Sequence, residues 1–261
     1  EEEFYYLKNV PHGTVRQEYF YSDITGEWER CFVYTPVEYE ECPEKRYPVL
    51  YLQHGHGENE TGWIEEGKVH FIMDNLIQAK EAKPFIIVMN NGMVQTKNAE
   101  GKRIVDHTIF PEYLIKDVIP YIEKKYRTIK NKDSRAMAGL SMGSIQTSIT
   151  AFEYPEYFSY IGLFSGFLRD FIQGDKIMDM VQRGKASDKH LRILDSKETF
   201  KNNLKIFFRA MGENDIFIQK FLEEDELLSK KDISCIRIIY EGGHDWNVWR
   251  RCIRDFAKLL F

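Results

Sequence analysis

Residues 138–143 read Ala138-Gly139-Leu140-Ser141-Met142-Gly143, and the meaning of this hexapeptide depends on its flanks. Gly139, Ser141 and Gly143 spell G-x-S-x-G. The apolar run Arg135–Leu140 in front reads as a strand, and Ile145–Phe152 behind reads as a helix. Small residues at that spacing let a strand reverse sharply into a helix and lift the serine hydroxyl clear of the backbone. The helix then aims its free N-terminal amides at negative charge developing beside the serine. A purely structural Gly/Ser turn is the plainer alternative. The strand–turn–helix setting favours a nucleophile.

A nucleophile on such an elbow predicts an acid and then a histidine, each after a later strand. The strand Leu204–Met211 runs into Gly212-Glu213-Asn214-Asp215, and the strand Cys235–Tyr240 runs into Glu241-Gly242-Gly243-His244. His244 follows the last strand, where the general base is required. Asp215 is the better acid because it lies further past its strand than Glu213. Asp245 is adjacent to the histidine, so its side chain diverges and reads as solvated or capping. Upstream, Leu52-Gln53-His54-Gly55-His56-Gly57 follows the first buried strand. Its open backbone supplies one oxyanion donor, the His56 amide, and the Met142 amide is the other. His54 and His56 also admit reading as a metal pair, but that needs more ligands and leaves the elbow unexplained. No metal or organic cofactor is expected.

Working outward, short apolar runs alternate with helical patterns. Val15–Tyr21 and Arg30–Thr35 read as an antiparallel pair joined through Thr25-Gly26, and Val49–Gln53 and Phe85–Met89 as buried strands. Helices are expected near Lys68–Lys80, over Pro111–Tyr126 with a kink or break at Pro120, over Ile216–Lys230 and over Trp246–Leu260. Tyr160–Phe164 adds a strand. The class is therefore α/β: a mostly parallel central sheet with helices on both faces, forming a single domain over residues 1–261. Residues 167–200 interrupt the alternation and read as an insertion over the sheet edge, part of a cleft or lid.

The net charge of −5 over 261 residues argues against nucleic acid, because phosphate neutralisation needs a basic surface. No apolar run approaches the roughly 20 residues of a membrane span. The opening Glu1-Glu2-Glu3 carries no signal-peptide pattern, which leaves location open. Cys31, Cys42, Cys235 and Cys252 lack metal-ligand spacing and read most simply as free thiols, with disulfides left open. Asn59-Glu60-Thr61 is a glycosylation sequon of little weight. Aromatic residues make up 14 %; most serve the core, and some suit a pocket for a flat or sugar-like ligand.

Several blocks occur in order along the chain: Pro11-His12-Gly13-Thr14-Val15, Tyr47-Pro48-Val49-Leu50-Tyr51-Leu52 with His54-Gly55, Thr61-Gly62-Trp63, Asp74-Asn75-Leu76, Pro120-Tyr121-Ile122-Glu123, the elbow, and Gly243-His244-Asp245-Trp246 with Val248-Trp249. On these the chain resembles the esterase D-like branch of the α/β-hydrolase fold, most closely carbohydrate esterase family 1, which holds feruloyl and acetylxylan esterases. Ser144 departs from the second glycine many relatives carry. The resemblance implies a secreted serine esterase with Ser141, Asp215 and His244 as its triad. The implied substrate is a feruloyl ester on plant cell-wall polysaccharide such as arabinoxylan. Trp63, Phe167 and Trp246 are candidates to line or flank the acyl slot. Acetylxylan, siderophore-ester and thioester hydrolysis are the close alternatives. A non-catalytic carbohydrate-binding relative is the alternative of another class. Asn91–Phe110 and Phe167–Phe200 vary among such enzymes and govern substrate choice. Oligomeric state is not legible.

Overall fold

The computed structural model describes residues 3–168 and 197–261. In chain order the strands are β1 (Thr14–Ser22), β2 (Glu27–Thr35), β3 (Val49–Gln53), β4 (Ile86–Asn90), β5 (Gln95–Lys97), β6 (Arg103–Val105), β7 (Arg135–Leu140), β8 (Tyr160–Phe164), β9 (Ile206–Gly212) and β10 (Ile236–Tyr240). Eight of them form one sheet in the order β1-β2-β4-β3-β7-β8-β9-β10, while β5 and β6 pair separately. The β1–β2 and β2–β4 pairings are antiparallel; every pairing from β4 onward to β10 is parallel.

Strands β3, β4, β7 and β8 are buried along their whole length, which is why they read as unbroken apolar runs rather than alternating ones. Their side chains still alternate between two cores. Val49, Tyr51, Val88, Met137 and Ile161 join one cluster with Phe110, Tyr113, Val118, Ile122 and Phe152. Leu50, Leu52, Ile87, Ala138 and Phe164 join the other with Ile72, Met73, Ile253 and Phe256. The helices are α1 (Glu38–Glu41), α2 (Gly62–Glu65), α3 (Val69–Gln78), α4 (Phe110–Tyr113), α5 (Ile119–Lys125), α6 (Met142–Glu153), α7 (Lys197–Asn203), α8 (Ile218–Lys230) and α9 (Trp246–Ala257). Thus α4 to α6 supply one face, and α3 and α9 the other, as the sequence pattern predicts.

Three expectations change. Pro120 does not break its helix: a five-residue π turn, Leu114–Val118, leads directly into α5, whose first turn holds the proline. The wider turn accommodates the missing N–H and the ring that would crowd an ordinary helix. Within Asn91–Phe110, the short hairpin β5–β6 replaces a plain loop. Helix α6 starts at Met142 rather than Ile145, because Met142-Gly143-Ser144 carries no periodic apolar signal yet forms its first turn. Except for its two ends, the insertion expected over 167–200 lies outside the described residues.

Two of the quoted blocks turn out to be architectural. The Asp74 carboxylate on α3 accepts from Tyr34 Oη at 2.7 Å, from the Gly13 amide at 3.0 Å and from His12 Nδ1 at 2.9 Å. Asn75 Nδ2 donates to the carbonyls of Phe4 and Tyr6. These contacts fasten the N-terminal segment to α3.

Candidate active site

Ser141 occupies φ 50°, ψ −117° between β7 and α6, a backbone region that costs a non-glycine residue about 1–3 kcal/mol. Packing holds it there. A Cβ on Gly139 would lie 2.5 Å from the backbone of Gly143, and one on Gly143 would lie 2.6 Å from the His54 carbonyl, so only glycine lets these three strand ends close up. The Ser141 amide donates to Phe164 O at 2.9 Å, and Ser144 Oγ donates to Ser141 O at 2.8 Å. Ser144, the departure from the family pattern, is therefore a fully buried clasp on the elbow.

His244 Nε2 lies 3.1 Å from Ser141 Oγ, and His244 Nδ1 lies 2.9 Å from Asp215 Oδ2. Asp215 is buried, and its second oxygen accepts from the Phe217 amide at 2.9 Å. Glu213, the competing acid, is exposed and turned away. Asp245 caps α9, accepting from the amides of Asn247 and Val248. The loops carrying acid and base are pressed together: Asn214 N donates to Gly242 O at 2.9 Å, and a Cβ on Gly212 would meet that same oxygen at 2.5 Å. Phe217 and Trp249 flank the His244 ring edge-on at 5.4 and 5.1 Å, restricting its rotation.

The loop after β3 has a more specific architecture than its glycines suggest. Glu58 Oε2 accepts from the Gly55 amide at 2.8 Å. Among the described residues the amides of His56 and Met142 have no such acceptor, so they remain available to a ligand oxygen. His54 is buried, with Nδ1 donating to Gly55 O at 2.8 Å and Nε2 accepting from the Gly92 amide at 2.8 Å. Burial holds its pKa below the usual histidine value, so it stays neutral as a tie between two loops. Both ring nitrogens are committed, which removes the metal-pair reading. Among the described residues, no three or more His, Cys, Asp or Glu side chains converge to hold a metal.

The aromatic candidates sort differently. Trp63 is 1 % exposed and donates its indole N–H to Gln53 O at 2.9 Å; it braces the strand beneath the site and lines no slot. Phe167, also 1 % exposed, packs edge-on against Phe217 at 5.4 Å. It backs the wall beside His244. Trp246 is partly buried between Trp63 and Trp249. Instead, a cleft of about 570 Å³ opens beside His56, walled by Met93, Ile104, Val105 and His107 of the hairpin region. Burial, with His56 nearby, holds the His107 imidazole below its usual value. Sequence reasoning passed over Glu58, Phe217 and this wall. An acid three positions beyond Gly55 was the one signal available.

All four cysteines are free, with Cys31 and Cys252 buried. No described helix is long and apolar enough to cross a membrane.

The family model described as "Putative esterase" matches residues 22–257. A Xylanibacter ruminicola protein named endo-1,4-beta-xylanase/feruloyl esterase is 36 % identical over all of this chain, which covers 33 % of that protein. Endo-1,4-beta-xylanase Y of Acetivibrio thermocellus is 29 % identical over 62 % of this chain and 15 % of its own length. The chain thus spans a third or less of these two relatives. Among solved structures, a CE1 ferulic acid esterase from Anaeromyces mucronatus in complex with ferulic acid superposes with a TM-score of 0.80 at 23 % identity, covering 100 % of this chain and 96 % of that one. A feruloyl esterase module from Clostridium thermocellum complexed with sinapinate gives 0.76 at 22 % identity, covering 100 % and 92 %. These likenesses show the α/β-hydrolase fold.

Proposed function

This chain belongs to that esterase family, and on this premise we propose that it is a serine hydrolase of feruloyl esters on plant cell-wall polysaccharide such as arabinoxylan. The observation that carries the reading is the continuous line Ser141 Oγ–His244–Asp215 beside two unclaimed amides. His244 Nε2 takes the proton as Ser141 Oγ attacks the ester carbonyl. The tetrahedral oxyanion accepts from the amides of His56 and Met142, at the N-terminus of α6. His244 returns the proton to the departing sugar alcohol, and water hydrolyses the acyl-enzyme by the reverse path. Asp215 holds the proton-bearing Nδ1 of His244 and stabilises the imidazolium. All bond changes are supplied by these side chains and water.

Two things support the aromatic acyl group: the printed names of the relatives, and a cleft beside His56 with room for one arm of a bulky ester. Residues 1–261 act as one catalytic unit, since the sheet runs from β1 to β10 and α9 returns to pack on α3. A polymeric substrate places the enzyme outside the cell.

Fluorophosphonate labelling tests the nucleophile. Wild type is expected to gain one adduct, located at Ser141 by mass spectrometry, and to release ferulate from feruloylated arabinoxylan. Labelling elsewhere, or none, would leave only a carbohydrate-binding relative with the same fold.

A further inference from the structure

Polysaccharide esters present a long sugar chain as well as one ester bond, and the site described so far contacts only the latter. A second groove, of about 330 Å³, lies against the first cleft. Both are lined by Met93, so they form one trough leading away from His56. The far groove is lined by Glu27, Trp28, Glu29, Asn91, Gln95 and Arg103. Trp28 is 70 % exposed, an unusual position for the largest apolar side chain unless something covers it.

The indole is not loosely placed. Trp28 on β2 pairs in register with Tyr21 on β1, and their rings meet edge-on at 6.0 Å. Tyr19 and Tyr21, both more than half exposed, share this outward face of the hairpin. At the rim, Arg103 Nη1 pairs with Glu27 Oε1 at 2.9 Å, and Lys97 reaches the same carboxylate at 3.4 Å. Arg103 Nε donates to Gln95 Oε1 at 3.2 Å. These bonds fasten β5–β6 to the start of β2 and fix the groove's width.

The chemistry of this lining selects its occupant. A phenolic ring wants an enclosed apolar slot, whereas the groove is open and mostly polar. A second protein chain wants a broad apolar centre, and here one indole stands among carboxylates, amides and a guanidinium. A xylopyranose ring fits both features. Its hydroxyls are equatorial, so its C–H faces lie flat on an indole while its edge meets polar side chains in plane. We infer that Trp28, with the Glu27/Glu29/Arg103 rim, is a distal subsite that stacks a main-chain pentose of the polysaccharide bearing the scissile ester. The inference rests on the polysaccharide-ester reading above. It makes the trough from His56 to Trp28 the path of the sugar arm.

Kinetics on two substrates test it. Trp28→Ala should keep kcat/KM for methyl ferulate within about twofold, and lose about tenfold on feruloylated arabinoxylan, mostly through KM, as expected for one aromatic contact. Trp28→Phe should restore most of that loss. Because Trp28 is exposed, its melting temperature should match wild type. Equal losses on both substrates, or no loss on the polymer, would overturn the subsite. Binding is read separately from catalysis with Ser141→Ala in affinity electrophoresis through unesterified arabinoxylan. Retardation that disappears on adding Trp28→Ala supports the subsite even if ferulate is not the acyl group. Absence of retardation, or a Trp28-dependent dimer in sedimentation, refutes it. Failure of wild type to hydrolyse any feruloyl ester would sink the feruloyl reading alone.

Discussion

Asp215 and Glu213 stand two positions apart on one loop, yet only Asp215 is buried and bonded to His244, while Glu213 faces solvent. Asp215→Asn should therefore lower kcat by about 10³–10⁴, as loss of the orienting carboxylate does in such triads, whereas Glu213→Gln should stay within about twofold of wild type; initial rates decide between them. His54 offers a different test. It touches no reacting atom but holds the oxyanion loop against Gly92, so His54→Phe should reduce kcat by about 10²–10³, the scale of one lost oxyanion donor, with little change in KM. A purely structural His54 would lower the melting temperature and leave kcat intact. At this scale Ser141, His244 and Asp215 were legible because each follows a strand end in a fixed order. Trp63 and Phe167 were not, because an aromatic residue looks the same in sequence whether it lines a pocket or braces the strand behind it.

Among elements, the sharpest constraint is the junction of β3, β7 and α6. Gly139 and Gly143 let the His54 loop and the elbow touch, so Gly143→Ala should displace the oxyanion loop, costing about 1–3 kcal/mol of stability and most of the activity. A second junction ties β9 to α8. Arg209 and Glu224, both fully buried, pair at 2.5 Å, and Arg209 also reaches Asp225 at 2.6 Å. Removing one partner strands a buried charge, so Arg209→Met should destabilise by about 3–5 kcal/mol in urea titration. Replacing Arg209 and Glu224 together by apolar residues should recover part of the loss. The buried strands were readable from their unbroken apolar runs. The hairpin β5–β6 was not, since three residues per strand are too few to show alternation. The π turn before Pro120 escaped for another reason: the sequence carries the proline, while the choice between breaking and widening is made by the packing of Leu114, Ile115 and Val118 against the core.

For the whole molecule, buried histidines couple stability to pH. Burial holds His54 below the ordinary value of 6.5 and brings His70 down to about 4. The unfolded chain protonates both near pH 6.5 while the folded chain does not, so between about 6.5 and 4 the unfolded state binds more protons. Their contribution is present at neutral pH and is lost as the pH falls through that window. His70→Asn should thus narrow the drop in melting temperature between pH 7 and pH 5 relative to wild type; an unchanged drop would remove His70 from the account. Fold class and the order of the triad could be read before any coordinates, because both follow from strand-end chemistry repeated along the chain. The trough toward Trp28 could not, because it joins β2, the Asn91 loop and the hairpin, which only the folded sheet brings side by side. The central claim, a Ser141-dependent esterase for aromatic acyl groups, is tested most directly by hydrolysis of methyl ferulate beside a short-chain acetyl ester, with wild type and Ser141→Ala. The account predicts ferulate turnover that exceeds acetate turnover and vanishes in the variant. Ferulate hydrolysis surviving in Ser141→Ala, or turnover of the acetyl ester alone, would contradict it.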